Sequence, residues 1–127
     1  MHQNTFLQSP RLLDKYYADR RNPLVAFAGQ MTGVEGYVES TASGYLAAVA
    51  MAAKVQGREL PDFPKETAIG ALGQYVSDES IENFQPMNIN FSIIAPLEKR
   101  IRKKAEKNLA IAARSLDVID RLVAKGI

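Results

Sequence analysis

The sequence contains no cysteine. Within this chain that excludes a disulfide framework, a Cys-ligated zinc site and a cysteine nucleophile, and it suits a cytoplasmic protein. There is a single histidine, His2, and no metal-ligand set is expected. Long hydrophobic runs are missing too. The longest, Tyr45–Ala53, has nine residues, well short of the ~20 that cross a bilayer. The opening MHQNTFLQSP has neither a charged n-region nor an apolar h-region, so no signal peptide is expected there. A charge excess of one sign is also lacking. With 16 Lys+Arg against 14 Asp+Glu the net charge is +2, so only the placement of charge can speak for nucleic acid. No internal repeat, low-complexity tract or GxGxxG fingerprint occurs. What remains is 127 residues, 46% hydrophobic and 24% charged, the profile of one globular domain able to bury a core without staples.

The chain is organised around Leu24–Gly44, LVAFAGQMTGVEGYVESTASG. Leu24–Ala28 is a continuous apolar run, the pattern of a strand buried on both faces of a parallel sheet. No second run of that quality accompanies it, so the rest of its sheet is expected outside the chain. Gly29–Gly33 reads as a tight turn. A helix is expected from Gly33 or Val34 to Val55 or Gln56, with Gly57 as its C-cap and Glu35 and Glu39 in its early turns, where the helix dipole favours negative charge. Gly36 and Gly44 each cost such a helix about 1 kcal/mol against alanine, which signals close approach by a backbone or a ligand. A strand, turn and helix of this kind offers backbone N–H groups to an anion. From spacing alone it reads equally as a plain structural turn.

The flanks divide into a lead-in helix (1–23), an extended and short-helix segment (58–95) and a long basic helix (96–127). Met1–Thr5 is a polar cluster that needs neighbours to hold it. Ser9-Pro10 reads as a helix start, with Leu12, Leu13, Tyr16 and Tyr17 at helical spacing up to Asn22-Pro23. Thr67 is a candidate cap for a short helix to Val76. Phe84–Ser92 is extended, and Asn88 and Asn90 read either as substrate contacts or as caps of an exposed edge. From Pro96 to Lys125, apolar residues Ile101, Ala105, Leu109, Ala112, Leu116, Ile119 and Val123 recur at helical spacing. The first half of that helix is basic, through Lys99, Arg100, Arg102, Lys103, Lys104 and Lys107. This run reads either as a solvated face or as a contact for an RNA backbone.

Phe27–Ser40, FAGQMTGVEGYVES, resembles the C-terminal flavin-binding motif of the folate- and FAD-dependent tRNA (uracil-5-)-methyltransferases, the TrmFO family. Met1–Phe6 with Ser9-Pro10, Phe63–Leu72, Asn83–Phe91 and Pro96–Arg102 resemble the same family, so the likeness covers essentially the whole chain. The Ala-Gly-Gln and Gly-Tyr core alone is shared with the related flavoprotein MnmG. Family members are several times longer. The likeness therefore implies the C-terminal part of a Rossmann-like FAD-binding domain in an α/β fold: one buried parallel strand plus mostly helices, incomplete on its own, as from a truncated or split gene product. An exposed strand edge in such a piece would favour self-association.

The resemblance implies FAD as cofactor, methylenetetrahydrofolate as carbon donor, NAD(P)H as reductant and the T-loop of tRNA as substrate. The cysteines that act on uracil would lie upstream, so no catalytic residue is expected here and the chain alone is expected to be inactive. It implies flavin contacts at Gly29, Gln30, Thr32, Gly33, Val34, Glu35 and Tyr37, with the N–H groups of Gly33, Val34 and Glu35 facing the flavin's pyrimidine edge. Tyr37 reads equally as a core residue. His2 is a candidate for stacking on the folate pterin, against the plainer reading of a loose terminal residue. Lys99, Arg100, Arg102 and Lys103 are candidates for tRNA contact. The alternatives are a non-enzymatic helical fragment that binds RNA or a partner, and an MnmG-like flavoprotein fragment.

Overall fold

The computed structural model describes residues 5–127. Its elements are helix α1 (Ser9–Leu12), strands β1 (Ala18–Asp19) and β2 (Asn22–Ala26), a 3-10 turn (Gln30–Thr32), and helices α2 (Tyr37–Val55), α3 (Ala68–Val76) and α4 (Lys104–Ala124). The class is mixed α/β, with helix predominating.

The lead-in helix is much shorter than its apolar spacing suggests. It stops at Leu12, and Leu13 is extended. The cause is Asp14, whose carboxylate accepts from the N–H of Tyr16 (2.8 Å) and of Ala18 (3.1 Å). That gives the backbone a turn in competition with the helix. Tyr17 then adopts φ +65 and delivers the chain into β1. Ser9 is not the cap. Its hydroxyl instead donates to the Thr32 carbonyl at 2.6 Å in the interior.

The apolar run is also a correction. β2 pairs antiparallel with β1, not in a parallel sheet, and it is not buried. Ala18 faces Ala26 while Asp19 faces Asn22, so residues 23–25 bulge out of the ladder. Pro23 has no N–H to give it, and Leu24 and Val25 are left 67% and 40% exposed. The parallel pairing in the described residues lies elsewhere. Met87 bridges Val34, its N–H donating to Gly33 O (2.9 Å) and its carbonyl accepting from Glu35 N (3.0 Å). Within the expected extended Phe84–Ser92 segment it is Met87 that makes this bridge, and its partner is Val34 after the glycine turn, not the apolar run.

The core gathers Tyr17, Val34, Leu46, Phe63, Leu72, Val76 and Phe84. Phe84 lies edge-on to Phe6 (6.1 Å between centroids) and tilted on Tyr75 (5.4 Å). Thr67 caps α3, its hydroxyl accepting from Gly70 N at 3.0 Å. Gly57, at φ +66, ends α2 one residue beyond its C-cap Gln56. α4 begins at Lys104, eight residues later than the periodicity suggests. Repulsion within the run of cations, at the end of a helix that disfavours them, keeps 99–103 irregular. Ile111 is its buried residue, while Leu109, Leu116 and Val123 of the expected stripe are 71%, 66% and 59% exposed. The buried face is rotated from that stripe by roughly a quarter turn. No helix among the described residues is long and apolar enough to cross a membrane.

One core group has a testable cost. The Tyr17 hydroxyl is fully buried without a hydrogen-bond partner among the described residues, and burial pushes its pKa well above the usual phenolic range. Tyr17→Phe should therefore leave stability at neutral pH unchanged or raise it by about 1 kcal/mol. The folded-state pKa is the raised one, so wild-type stability is intact below the ordinary phenolic pKa of ~10 and falls as pH rises past it. Urea unfolding near neutrality and at about pH 11 should show that loss in the wild type and much less of it in Tyr17→Phe.

Candidate functional site

The residues around the glycine turn divide into a supporting layer and an exposed layer. Gly29, at φ +80 and ψ −161, is the N-cap of the 3-10 turn. Its N–H donates to the Ser43 hydroxyl at 2.8 Å, and Ser43 donates on to Ser40 O at 2.7 Å. Buried Ser43 thus pins the turn against α2, where Gly44 leaves room for Ala28. A Cβ on Gly29 would meet nothing within 4 Å among the described residues, so one side of this backbone is left open by them.

Thr32, Gly33 and Val34 belong to the supporting layer. Thr32 is fully buried and its hydroxyl donates to Gly29 O at 2.7 Å. Gly33 is left-handed at φ +96, and a Cβ there would overlap the Phe84 ring. Val34 is fully buried in the core. The expected helix start is displaced by about one turn. The N–H groups of Gly33 and Glu35 are already donated, to Gln30 O and Met87 O, each at 3.0 Å. Glu35 O accepts from Asn88 Nδ2 at 2.8 Å. Asn88 therefore ties the loop down, while Asn90 caps a turn by accepting from Ser92 N at 2.8 Å.

The exposed layer begins at Gly36, the N-cap of α2, at φ +102 and with no side-chain cap. Ser40 is the first residue to donate back, to Gly36 O at 3.0 Å. The N–H groups of Tyr37, Val38 and Glu39 therefore have no acceptor within the helix. Tyr37 is 95% exposed, so it does not pack into the core of the described residues. Val38, Met31 and Gln30 are exposed as well. The Glu39 carboxylate folds back over Gly36. The sequence missed the N–H groups of 37–39, which have no acceptor among the described residues, although the signal was present: Gly36, not Gly33, is the glycine directly before the helix.

The basic candidates sit apart from this surface. Lys99, Arg100, Arg102 and Lys103 precede α4 in irregular chain and are exposed. His2 lies outside the described residues.

An open glycine turn beside an uncapped helix start is a recurrent way of holding an anionic or dinucleotide ligand. The chain is similar to known proteins at two levels. Residues 1–59 match the family model described as GIDA, glucose inhibited division protein A. Over nearly the whole chain the likeness is narrower. The chain is 50% identical over 125 residues to the methylenetetrahydrofolate–tRNA-(uracil-5-)-methyltransferase TrmFO of Acetivibrio thermocellus, covering 98% of this chain and 29% of the relative. It is 52% identical over 123 residues to TrmFO of Bacillus cereus strain G9842, covering 97% and 28%. It is 49% identical to that of Natranaerobius thermophilus, covering 98% and 29%. Over these residues the chain is similar to the TrmFO family, and it spans under a third of the length of the curated relatives it matches.

Proposed function

We propose that the chain forms one wall of the flavin site of a folate- and FAD-dependent tRNA (uracil-5-)-methyltransferase. The observation that carries this reading is identity near one half along nearly all of the chain. The structure supports it with a surface that fits a flavin on one side only: the uncapped start of α2, the open backbone at Gly29, and exposed Gln30 and Tyr37. When bound, the flavin would supply the redox chemistry of a one-carbon transfer from methylenetetrahydrofolate, with NAD(P)H restoring it. This chain's part is binding and electrostatics. The N–H groups of Tyr37, Val38 and Glu39 and the α2 dipole favour negative charge placed before them, and the Tyr37 ring offers an apolar face. Gln30 can both donate and accept hydrogen bonds. Thr32, Gly33, Val34 and Glu35 hold this surface in place from behind. His2 would face folate, and the cysteine that attacks uracil would come from elsewhere in the enzyme.

The exposed apolar residues support a missing complement. Leu24 and Val25 on the bulged strand, Val38 and Tyr45 on α2, and Leu109 and Leu116 on α4 are uncovered in this chain. In the complete enzyme the remaining sheet of a Rossmann-like domain would cover them; alone, the chain would self-associate there.

Reconstitution tests the reading. The 127-residue chain, co-expressed with the portion of a TrmFO relative that it does not match, should convert uridine to 5-methyluridine in a tRNA transcript given methylenetetrahydrofolate and NAD(P)H. Neither piece alone should do so. No product from the pair, where the intact relative is active, would refute it. The GIDA match favours an MnmG-like fragment as second reading for the motif; a reconstituted enzyme that modifies tRNA without forming 5-methyluridine would support that instead.

A further inference from the structure

The largest of the described cavities shares no lining residue with the glycine turn. It occupies about 1050 Å3 between residues 91–102 and the first two turns of α4, and its walls divide by chemistry. The floor is apolar, from Ile94, Leu97, Ile101 and the buried Ile111, and Phe91 also lines the cavity. The rim carries five cations, Lys99, Arg100, Arg102, Lys104 and Lys107, against one carboxylate, Glu98. The ion pairs among the described residues lie elsewhere, so the described residues do not pair off this concentration of positive charge.

The rim is pinned, not a loose basic arm. Arg114, in the middle of α4, donates to Pro96 O at 2.9 Å and to Ala95 O. Ala95 N donates to Lys65 O at 2.9 Å. Cations gathered at a helix start also oppose the helix dipole, a cost that an anion in the cavity would relieve.

We propose that this cavity binds single-stranded RNA, with backbone phosphates on the cationic rim and a base against Phe91 and the apolar floor. Phe91 is 45% exposed at the mouth. A phosphate-only ligand, or a duplex that buries its bases, would leave that floor unused, whereas an unstacked nucleotide uses both walls. The inference rests on the reading that RNA is the substrate, and it assigns the place where this chain touches it.

The test is fluorescence anisotropy of a labelled uridine-rich oligonucleotide of about ten nucleotides, titrated with the 127-residue chain across a salt series. Arg100→Ala/Arg102→Ala/Lys104→Ala should weaken binding at low salt about tenfold or more and flatten the log–log salt slope by roughly 2, at about 0.7 per lost phosphate contact. Phe91→Ala should weaken binding roughly five- to a hundredfold with the slope unchanged. Should the triple variant fail to fold, Lys99→Ala/Lys107→Ala carries the same test. Unaltered affinity in the charge variants would overturn the proposal. So would displacement of the oligonucleotide by inorganic phosphate, duplex RNA or phosphatidylserine vesicles at equal phosphate concentration. The outcomes separate from those of the methyltransferase reading. Methylation by the reconstituted enzyme with rim variants unimpaired in RNA binding sinks this inference alone. Rim-dependent RNA binding without methylation sinks the methyltransferase reading alone.

Discussion

Gly33→Ala is expected to destabilise the chain by about 2–5 kcal/mol, a large part of the ~5–15 kcal/mol that holds a typical domain together. Two effects add. The position is left-handed, at φ +96, where a β-carbon costs about 1–2 kcal/mol. The new methyl would also overlap the Phe84 ring, and overpacking a core costs about 1–3 kcal/mol. Phe84 cannot simply yield, because Phe6 and Tyr75 flank it and the Met87–Val34 bridge follows three residues later. Urea unfolding should show the midpoint fall with little change in slope. Shrinking the obstacle should help: Gly33→Ala/Phe84→Leu is expected to be less destabilised than the sum of the two single variants. A Gly33→Ala chain as stable as wild type would mean that the turn is not built as described.

The second large effect reverses an ordinary rule. Alanine in place of a helical glycine normally stabilises by about 1 kcal/mol. In α3 the sign should invert, because a Cβ on Gly70 would overlap the carbonyls of Phe63 and Pro64, and one on Gly73 the carbonyl of Lys15. These neighbours are backbone and cannot rotate away. Gly70→Ala and Gly73→Ala are each expected to cost about 1–2 kcal/mol, the upper part of the overpacking range less the propensity gained. Thermal unfolding monitored by circular dichroism would check the sign. Both variants melting above wild type would show that α3 does not lie on those carbonyls.

These glycines mark the limit of what the residues show before they are folded. Thr67 was legible as a cap and Gly57 as a helix end, because capping is local chemistry that three or four residues settle. The start of α2 was misplaced by a turn because Gly33 and Glu35 are claimed by Met87, more than fifty residues away. The lead-in helix was overdrawn because the Asp14 turn outcompetes apolar spacing. In α4 a valid periodicity marked a face that the described residues leave largely exposed at Leu109, Leu116 and Val123, with Ile119 alone of the stripe packed on the core, since apolar spacing says nothing about which neighbour covers it. The family motif was legible as a string of residues, but not its division of labour. Thr32, Gly33 and Val34 build the support, whereas Gly36 and the N–H groups after it provide the surface.

The reading turns on whether that surface is half of a flavin site. The most direct measurement is the visible absorption spectrum of the purified chain, alone and co-purified with the complementary portion of a TrmFO relative. The chain alone should be colourless. The complex should carry about one flavin per pair, and much less when Tyr37→Ala and Gln30→Ala, two exposed changes that spare the core, are combined. Stoichiometric flavin in the isolated chain would contradict the account by showing a complete site where one wall is described. A folded complex that holds no flavin would contradict it as well.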